Sequence, residues 1–195
     1  PSYKGNWDYR KTVNLFQDVS KIMHTHFSAS VLENELVQLR LLQAPDFESL
    51  YAIASDPLVW EQHPAKDRYK RDVFKDFFEG AMVSGTAYII RDKNTGKTIG
   101  STRFYDYNLV EKSVAIGFTF LSRAYWGGQY NSSIKKLMIE HAFEMVDTVL
   151  FHVGAENIRS QKALYKLGAV KLREMYLTVN NEQVLHYEFG ISKNK

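Results

Sequence analysis

The stretch SRAYWGGQYNSSIKKLMIEHAF, residues 122–143, is the most informative part of the sequence. Its first half holds two neighbouring glycines, Gly127 and Gly128, followed by small polar residues. Its second half repeats apolar side chains at intervals of three and four residues, the period of an amphipathic helix. Glycines and small polar residues at a helix start predict either backbone amides that receive an anion or an ordinary loop with a helix cap.

The composition is that of a globular protein. Of the 195 residues, 45% are hydrophobic and 24% are charged, which is enough to bury a sizeable core. Twelve Tyr, twelve Phe and three Trp favour sheets and pockets over disorder. The formal net charge of +3 does not predict a nucleic-acid partner, although it slightly favours an anionic small molecule.

Several kinds of site are excluded or disfavoured. The chain has no cysteine, which excludes disulfides, cysteine zinc sites and thiol nucleophiles. His24 and His26 have no carboxylate cluster nearby, so no metal is expected. No stretch has the roughly 18 uninterrupted apolar residues of a membrane helix, and the amino end lacks an apolar signal core. We therefore expect a cytoplasmic protein with no membrane partner.

Two regions differ in pattern. Residues 1–34 have mixed polarity and are interpreted as an amino-terminal extension, with a helix over residues 10–23 that packs on the main domain or on a neighbouring chain. Residues 35–195 alternate in the order β-α-α-β-β-β-α-β-α-β-β, which predicts one mixed α/β domain with a mostly antiparallel sheet of about seven strands flanked by helices. Strands are predicted over 36–42, 86–91, 98–105, 113–121, 148–153, 170–179 and 183–191, and helices over 45–54, 72–82, 132–146 and 157–167.

Three stretches resemble the GNAT superfamily of N-acetyltransferases. They are SVAIGFTFL followed by SRAYWGGQYN (113–131), the amphipathic helix over 132–146, and ENIRSQKALYKLGAV (156–170), which is similar to the family's Asn-x-x-Ser pattern with a later Tyr and Leu-Gly. The closest branch includes the ribosomal-protein alpha-amino acetyltransferases. The resemblance implies the GNAT fold, and an acetyl-CoA-dependent transfer of acetyl from the thioester directly to a primary amine of a small molecule or peptide, by a monomer or homodimer without a metal.

The same resemblance implies where coenzyme A binds. The glycine loop and helix start would hold the pyrophosphate, Asn157 the pantetheine arm, and the preceding strand would supply main-chain groups. The positions are Phe120, Leu121, Trp126, Gly127, Gly128, Gln129, Tyr130, Asn131, Ser132, Asn157, Ser160 and Tyr165. An ordinary turn and cap remains an alternative for the glycines with Ser132, and a plain N-cap for Asn157.

Three residues are candidates for proton transfer. The resemblance implies that Tyr165 protonates the departing thiolate, although the ring also suits packing over the sheet. Glu111 before the central strand and His63 in WEQHP are the candidate general bases, with ordered water or a surface role as alternatives. The remaining histidines are interpreted as structural: His141 as a core residue, and His152 and His186 as ordinary sheet positions.

The glycine loop departs from the family pattern at Gln129, where a glycine is usual, and at Ala124, where a long basic or amide residue often stands. If position 129 requires a positive φ, a glutamine there costs about 1 kcal/mol. This departure leaves two further hypotheses. One is an inactive coenzyme-A-binding or sensing module of the same fold, and the other is a structural protein that acts through its amino-terminal extension.

Overall fold

The computed structural model describes residues 27–29 and 31–193. The predicted helix over residues 10–23, with His24 and His26, lies outside the described residues. The strands are β1 (Val31–Glu33), β2 (Val37–Leu41), β3 (Ala87–Asp92), β4 (Thr98–Asn108), β5 (Ser113–Leu121), β6 (Thr148–Gly154), β7 (Val170–Val179) and β8 (Glu182–Ser192). The helices are α1 (Phe47–Ala54), α2 (Arg71–Ser84), α3 (Tyr130–Ala142) and α4 (Ile158–Lys166).

The eight strands form one sheet in the order β1-β2-β3-β4-β5-β6-β8-β7. All neighbouring pairs are antiparallel except β5 and β6, which are parallel. The predicted mixed, mostly antiparallel sheet is therefore confirmed, with eight strands instead of about seven. The additional strand is β1, whose three residues are too few to produce an alternating pattern.

Helices cover both faces of the sheet. On one face, α3 and α4 close the larger apolar cluster, in which Ile116 of β5 packs with Met138 and Leu164. On the other face, α1 and α2 close a smaller cluster around Phe74, Trp60 and Phe120. Four of the eight buried residues of the second cluster are aromatic, and the Trp60 and Phe120 ring centroids lie 5.2 Å apart.

The hairpin between β7 and β8 turns at Asn180 and Asn181, which have φ values of 49° and 64°. Asparagine tolerates this left-handed conformation better than most residues do, and two such residues in sequence match a tight hairpin turn. The predicted terminal hairpin is therefore explained by its turn residues.

The described residues of the predicted amino-terminal extension, 27–29 and 31–34, pack into the domain. Phe27 is completely buried, and its ring lies 5.1 Å from that of Phe104. Its carbonyl accepts a hydrogen bond from the Tyr88 hydroxyl at 2.9 Å, and β1 extends the sheet beside β2. The domain therefore includes Phe27 and β1, upstream of the boundary predicted at residues 34 and 35.

The parallel strands β5 and β6 separate along their length. They pair from Ser113 with Thr148 to Ala115 with Leu150, and no further, although β5 continues to Leu121 and β6 to Gly154. A bulge in β5 opposite β4 accompanies the separation, and Phe118 there has a φ of 52°. A positive φ is rare for an aromatic residue and is associated with functional sites. The facing edges of both strands are thus left without strand partners over the open part.

No helix among the described residues is long and apolar enough to cross a membrane.

The position of Phe27 leads to a stability prediction. Phe27→Ala should lower the free energy of unfolding by about 3–4 kcal/mol, because it removes a fully buried ring from the larger cluster. Urea unfolding of the full chain measures this change. Val110→Ala, at a side chain that is 87% exposed, is the control and should change it by less than about 0.5 kcal/mol. An equal, small effect of both changes would place Phe27 outside the domain.

Candidate active site

A cleft occupies the space between the separated ends of β5 and β6. Its walls include Thr119 of β5, Val153 of β6 and Asn157 at the start of α4. It also includes Trp60 and Arg68 from the segment between α1 and α2, which lies on the other face of the sheet. The cleft therefore passes between the strands and is lined from both faces.

At one side of the cleft lie the glycine loop and the start of α3. Among the described residues, none of the backbone amides of residues 127–132 donates a hydrogen bond, and the first one used is that of Ser133, which donates to the Gln129 carbonyl at 2.9 Å. Free amides and the positive end of the helix dipole favour an anion such as a phosphate. Trp126 fixes the start of the loop to the end of β5, since its indole donates to the Leu121 carbonyl at 3.0 Å.

The glycine loop adopts its shape without strain at Gln129. Gln129 has a φ of −84° and a ψ of −12°, ordinary values for a helix start, whereas the positive φ, 73°, falls on Gly127. The cost considered for a glutamine at this position therefore does not arise. Gly128 lies outside the left-handed region as well.

Tyr130 and Ser132 have roles of their own in this loop. The Tyr130 hydroxyl donates to Asp92 at 3.2 Å, and the Tyr125 ring packs edge-on against it. The Ser132 hydroxyl donates back to the Gln129 carbonyl at 2.9 Å. Both side chains thus fix the loop, and the amides are the groups left for a ligand.

Asn157 is the N-cap of α4 and also lines the cleft. Its Oδ1 accepts a hydrogen bond from the Ser160 amide at 3.1 Å, as the cap alternative predicted. Asn157, Ser160, Phe120, Leu121, Trp126 and Asn131 all line the cleft. These six of the twelve predicted cofactor positions are therefore brought together by the fold, and Gly127, Gly128, Gln129, Tyr130 and Ser132 form the adjoining loop.

Tyr165 and Glu111 do not line the cleft. Tyr165 is 55% exposed and packs against Phe189, whereas the preceding residue, Leu164, is buried and forms part of the cleft wall. One residue along a helix turns the side chain by about 100°. Glu111 lies in the exposed turn before β5, next to the end at which β5 and β6 are paired. Neither assignment as acid or base is supported by this geometry.

His63 lies in the cleft, but it is a weak base. Its Nδ1 accepts a hydrogen bond from the Ala65 amide at 2.9 Å, and its Nε2 lies 3.3 Å from the Arg68 guanidinium. Burial, with the nearby charge of Arg68, lowers the pKa of His63 to about 3. With its lone pair occupied and a cation beside it, the ring is unsuited to take a proton from an amine.

His186, unlike His63, has a ring nitrogen that is free to accept a proton. Its Nδ1 lies 2.9 Å from the Val184 carbonyl, so Nδ1 donates and the neutral ring carries its lone pair on Nε2. Among the described residues Nε2 has no hydrogen-bond partner, and the residue lines the cleft. The sequence was interpreted as placing His186 at an ordinary sheet position. Its role depends on pairing with Gly154 at the open end of β6, which a sequence pattern does not reveal.

A network of four side chains from β4, β6, β8 and β7 lies beside the cleft. The His152 ring is held between the Tyr105 hydroxyl, 2.8 Å from Nδ1, and Glu188, 3.1 Å from Nε2. Arg173 donates two further hydrogen bonds to Glu188. Although burial opposes ionisation, these hydrogen bonds keep the pKa of Glu188 below its ordinary value. His152, also interpreted as an ordinary sheet position, lines the cleft with its orientation fixed from both sides.

Lys135 of α3 brings a buried amine into the cleft. Its Nζ donates to the Thr119 hydroxyl at 2.7 Å and lies 5.6 Å from the centroid of the Phe151 ring. Burial lowers the pKa of this amine to about 7. In the sequence Lys135 stands between Ile134 and a second lysine, Lys136, and this pattern gives no indication of its burial.

Arg159 adds a cation near the glycine loop. Its guanidinium lies 3.8 Å from the centroid of the Trp126 ring, and both residues line the cleft. Among the described residues no cluster of three or more histidine or acidic side chains is arranged to hold a metal ion. The groups at this end of the cleft are thus suited to an anion and not to a cation.

The fold and the cleft define a class of protein, a mixed α/β domain that opens its sheet between two parallel strands beside a helix start with free amides. The chain belongs to the acetyltransferase (GNAT) domain family, whose model matches residues 37–170, more than half of the chain. No curated protein sequence matches it.

Solved structures share this fold at low identity. A GCN5-related N-acetyltransferase from Brucella melitensis superposes with a TM-score of 0.74 at 17% identity, covering 83% of this chain and 78% of that one. The ribosomal-protein-S5-alanine acetyltransferase from Vibrio fischeri gives 0.64 at 19%, covering 84% and 97%. The spermidine N-acetyltransferase from Vibrio cholerae, in complex with CoA and spermine, gives 0.64 at 13%, covering 82% and 96%. These similarities establish the fold.

The two loop glycines should differ in their tolerance of a side chain. Gly127→Ala should cost about 1 kcal/mol of folding free energy, because alanine is strained at a φ of 73° even though no atom lies within 4 Å of the added Cβ. Gly128→Ala, with equal space and no positive φ, should change it by less than about 0.5 kcal/mol. Urea unfolding of both variants measures the difference. A larger cost at Gly128 would contradict the loop conformation described.

Burial of Lys135 should make stability depend on pH. Its pKa is about 7 in the folded chain and near the ordinary 10.5 when unfolded, so between these values the unfolded chain binds more protons and stability rises with pH. Relative to Lys135→Met, the unmodified chain should gain about 2 kcal/mol between pH 7 and pH 9. Urea unfolding at both pH values measures this. Lys136→Met, at an exposed neighbour, retains Lys135 and should gain as much stability with pH as the unmodified chain, and parallel curves for all three proteins would contradict the burial.

Proposed function

We propose that the chain is an acetyl-CoA-dependent N-acetyltransferase that moves an acetyl group directly from the thioester to a primary amine. One observation carries the proposal: a single cleft through the sheet joins a loop with six free amides to a histidine with an available lone pair. Membership of the acetyltransferase family supports acetyl transfer in general. The groups around this cleft support the more specific assignment.

The chain's own residues fit coenzyme A at the side of the cleft that α3 flanks. The free amides of residues 127–132 suit a pyrophosphate, and Arg159 adds positive charge nearby. The unpaired edge of β5 beyond Ala115 offers main-chain donors and acceptors to an extended amide-containing arm, and Asn157 lies beside it. Acetyl-CoA supplies an activated thioester to this site.

On the other side of the sheet, His186 is suited to act as the general base. An amine is protonated near neutral pH and must lose a proton before it attacks a carbonyl. The Nε2 lone pair of His186 faces no other partner among the described residues, and its Nδ1 is fixed by the Val184 carbonyl. Main-chain amides of the open β5 edge are suited to stabilise the negative charge that develops on the carbonyl oxygen. The chain contains no cysteine for a covalent acetyl intermediate.

Which amine is accepted is a separate question from the chemistry. The resemblance to ribosomal-protein acetyltransferases favours a peptide amine, and the fold is shared equally with a spermidine acetyltransferase. Fold alone does not determine the acceptor.

The proposal is tested by binding and turnover together. Calorimetric titration with acetyl-CoA should give micromolar binding that weakens in Asn157→Ala. Release of free thiol with a panel of amines should then show turnover that depends on the amine. His186→Gln should lower kcat at least about 100-fold while leaving acetyl-CoA affinity within about twofold, because it removes only proton transfer.

Glu111→Gln is the matched control, since Glu111 is exposed and outside the cleft, and it should keep full turnover. If Glu111→Gln lost turnover and His186→Gln kept it, the general base would be Glu111 and not His186. Tight acetyl-CoA binding without turnover on any amine would favour the sensing module.

A further inference from the structure

Two arginines, half-buried Arg68 and buried Arg103, lie at the amine side of the cleft, which His186 also lines. The Arg68 guanidinium carbon lies 4.5 Å from the centroid of the Phe77 ring and 5.5 Å from that of Trp60. The Arg103 guanidinium carbon lies 5.8 Å from the same Phe77 centroid and 3.9 Å from that of Phe118. One aromatic ring thus packs against both cations. Arg68 lines the cleft together with Trp60 and Phe118, and Arg103 packs on the Phe118 ring of that wall.

Neither guanidinium has an acidic partner in the described part of the chain. The arginines that form ion pairs there are Arg40, Arg71, Arg123 and Arg173. Arg103 is 9% exposed and donates to the Gly80 carbonyl, but its Nε is buried without a hydrogen-bond partner among these residues. Asp67 is close enough to favour the charge of Arg68, yet it makes no ion pair with it, and its own Oδ1 lacks a partner.

Such a pair of cations is unusual inside a protein. Buried charges are normally paired, and two like charges oppose each other. Burial lowers the pKa of each guanidinium to about 10, with Arg103 adding to the effect on Arg68, and both remain charged at neutral pH. Contact with aromatic rings attracts the cations but does not neutralise them. A bound anion would supply the missing charge and acceptors.

Arg68 and the proposed base lie in the same cleft. The Arg68 Nη1 lies 3.3 Å from the His63 ring, and Arg68, His63 and His186 all line the cleft. An amine at His186 and an anion at Arg68 would therefore occupy one cleft. That arrangement suits a small molecule with both groups.

We propose that the acceptor is a small amino acid whose carboxylate binds the Arg68 and Arg103 guanidiniums while its amine lies at His186. This inference rests on the proposed function and names the substrate class for it. Guanidinium groups match carboxylate geometry, and the same positive charge repels a polyamine such as spermidine.

The test compares acceptors that differ only in one charge. Glycine, β-alanine and γ-aminobutyrate are each compared with the corresponding amide by kcat/KM at fixed acetyl-CoA, with spermidine as a cationic acceptor. The amine of an amino amide is less basic, so without an anion site the amide would react faster near neutral pH. We expect the kcat/KM of at least one amino acid to exceed that of its amide by about tenfold or more, since the amide cannot form the hydrogen-bonded ion pair with the arginines.

Variants assign this preference to the arginines. Arg68→Gln should reduce it to less than about twofold, because it removes one of the two charges. Arg71→Gln is the matched control, since Arg71 also lies over two aromatic rings but is exposed and paired with Glu48 outside the cleft. It should keep the full preference. Arg103→Lys retains the charge at the more buried site and should weaken the preference without abolishing folding.

A second measurement does not require turnover. The N-acetylated forms of glycine, β-alanine and γ-aminobutyrate are tested in turn, and at least one should raise the thermal unfolding midpoint of the chain whereas its amide should not. The effect should disappear in Arg68→Gln and persist in Arg71→Gln. Carboxylate binding that depends on Arg68, without turnover of any amine, would overturn the proposed function and keep the anion site. Turnover that is equal for carboxylates and amides, or higher for spermidine, would overturn the anion site and keep the function.

Discussion

The early end of the pairing between β5 and β6 is the constraint on which the site depends. Continued pairing of these parallel strands would satisfy their main-chain groups within the sheet and leave no passage through it. Instead the pairing stops after Ala115 and Leu150, and the bulge at Phe118 turns β5 away. The strands nevertheless stay in place, because β4 holds one and β8 the other along their outer edges. An opening in the middle of a sheet is thereby supported from both sides.

The opening also explains why cations are buried where polar groups are scarce. Lys135 reaches between the strands to Thr119, and Arg103 lies against Phe118 at the bulge itself. Each is desolvated, and each is held by an uncharged hydrogen-bond acceptor or an aromatic ring instead of by a carboxylate. A site that retains uncompensated positive charge is destabilised when empty and favours anionic ligands when they are present. Both proposed ligands, a coenzyme with phosphates and an amino acid with a carboxylate, have this character.

Local patterns in the sequence predicted the elements well, because periodicity and turn residues act over a few positions. The apolar strand before the glycine loop, the amphipathic α3 and the hairpin at Asn180 and Asn181 are of this kind. The family resemblance also located the loop with free amides. Features that depend on distant pairing could not be predicted. β1 is too short to show a pattern, and the burial of Phe27 depends on Tyr88 and Phe104.

The proposed residue for proton transfer was the least predictable part of the site, for a geometric reason. A helix changes the direction of its side chains by about 100° per residue, so the step from Leu164 to Tyr165 separates the cleft wall from the surface. Whether a histidine in a strand lines a cleft depends on where the neighbouring strand separates from the rest of the sheet. His186 lines the cleft because it pairs with Gly154, at the end of β6 that has separated from β5. His63, the candidate base in WEQHP, has its lone pair occupied by a backbone amide only two residues away.

The two sides of the cleft offer different kinds of groups to the two proposed ligands. The side proposed for the coenzyme offers mainly backbone amides and the exposed edge of a strand, which many sequences can provide. The side proposed for the amine offers side chains from the segment between α1 and α2 and from β4, β5 and β8, each of which can change independently. The solved structures that share the fold at 13–19% identity include a ribosomal-protein-S5-alanine acetyltransferase and a spermidine N-acetyltransferase, so the fold by itself does not determine the amine. In this chain the proposed amine side contains Arg68 and Arg103 without acidic partners among the described residues, and under the proposed function their charge, more than the shape of the fold, should determine which amine is accepted.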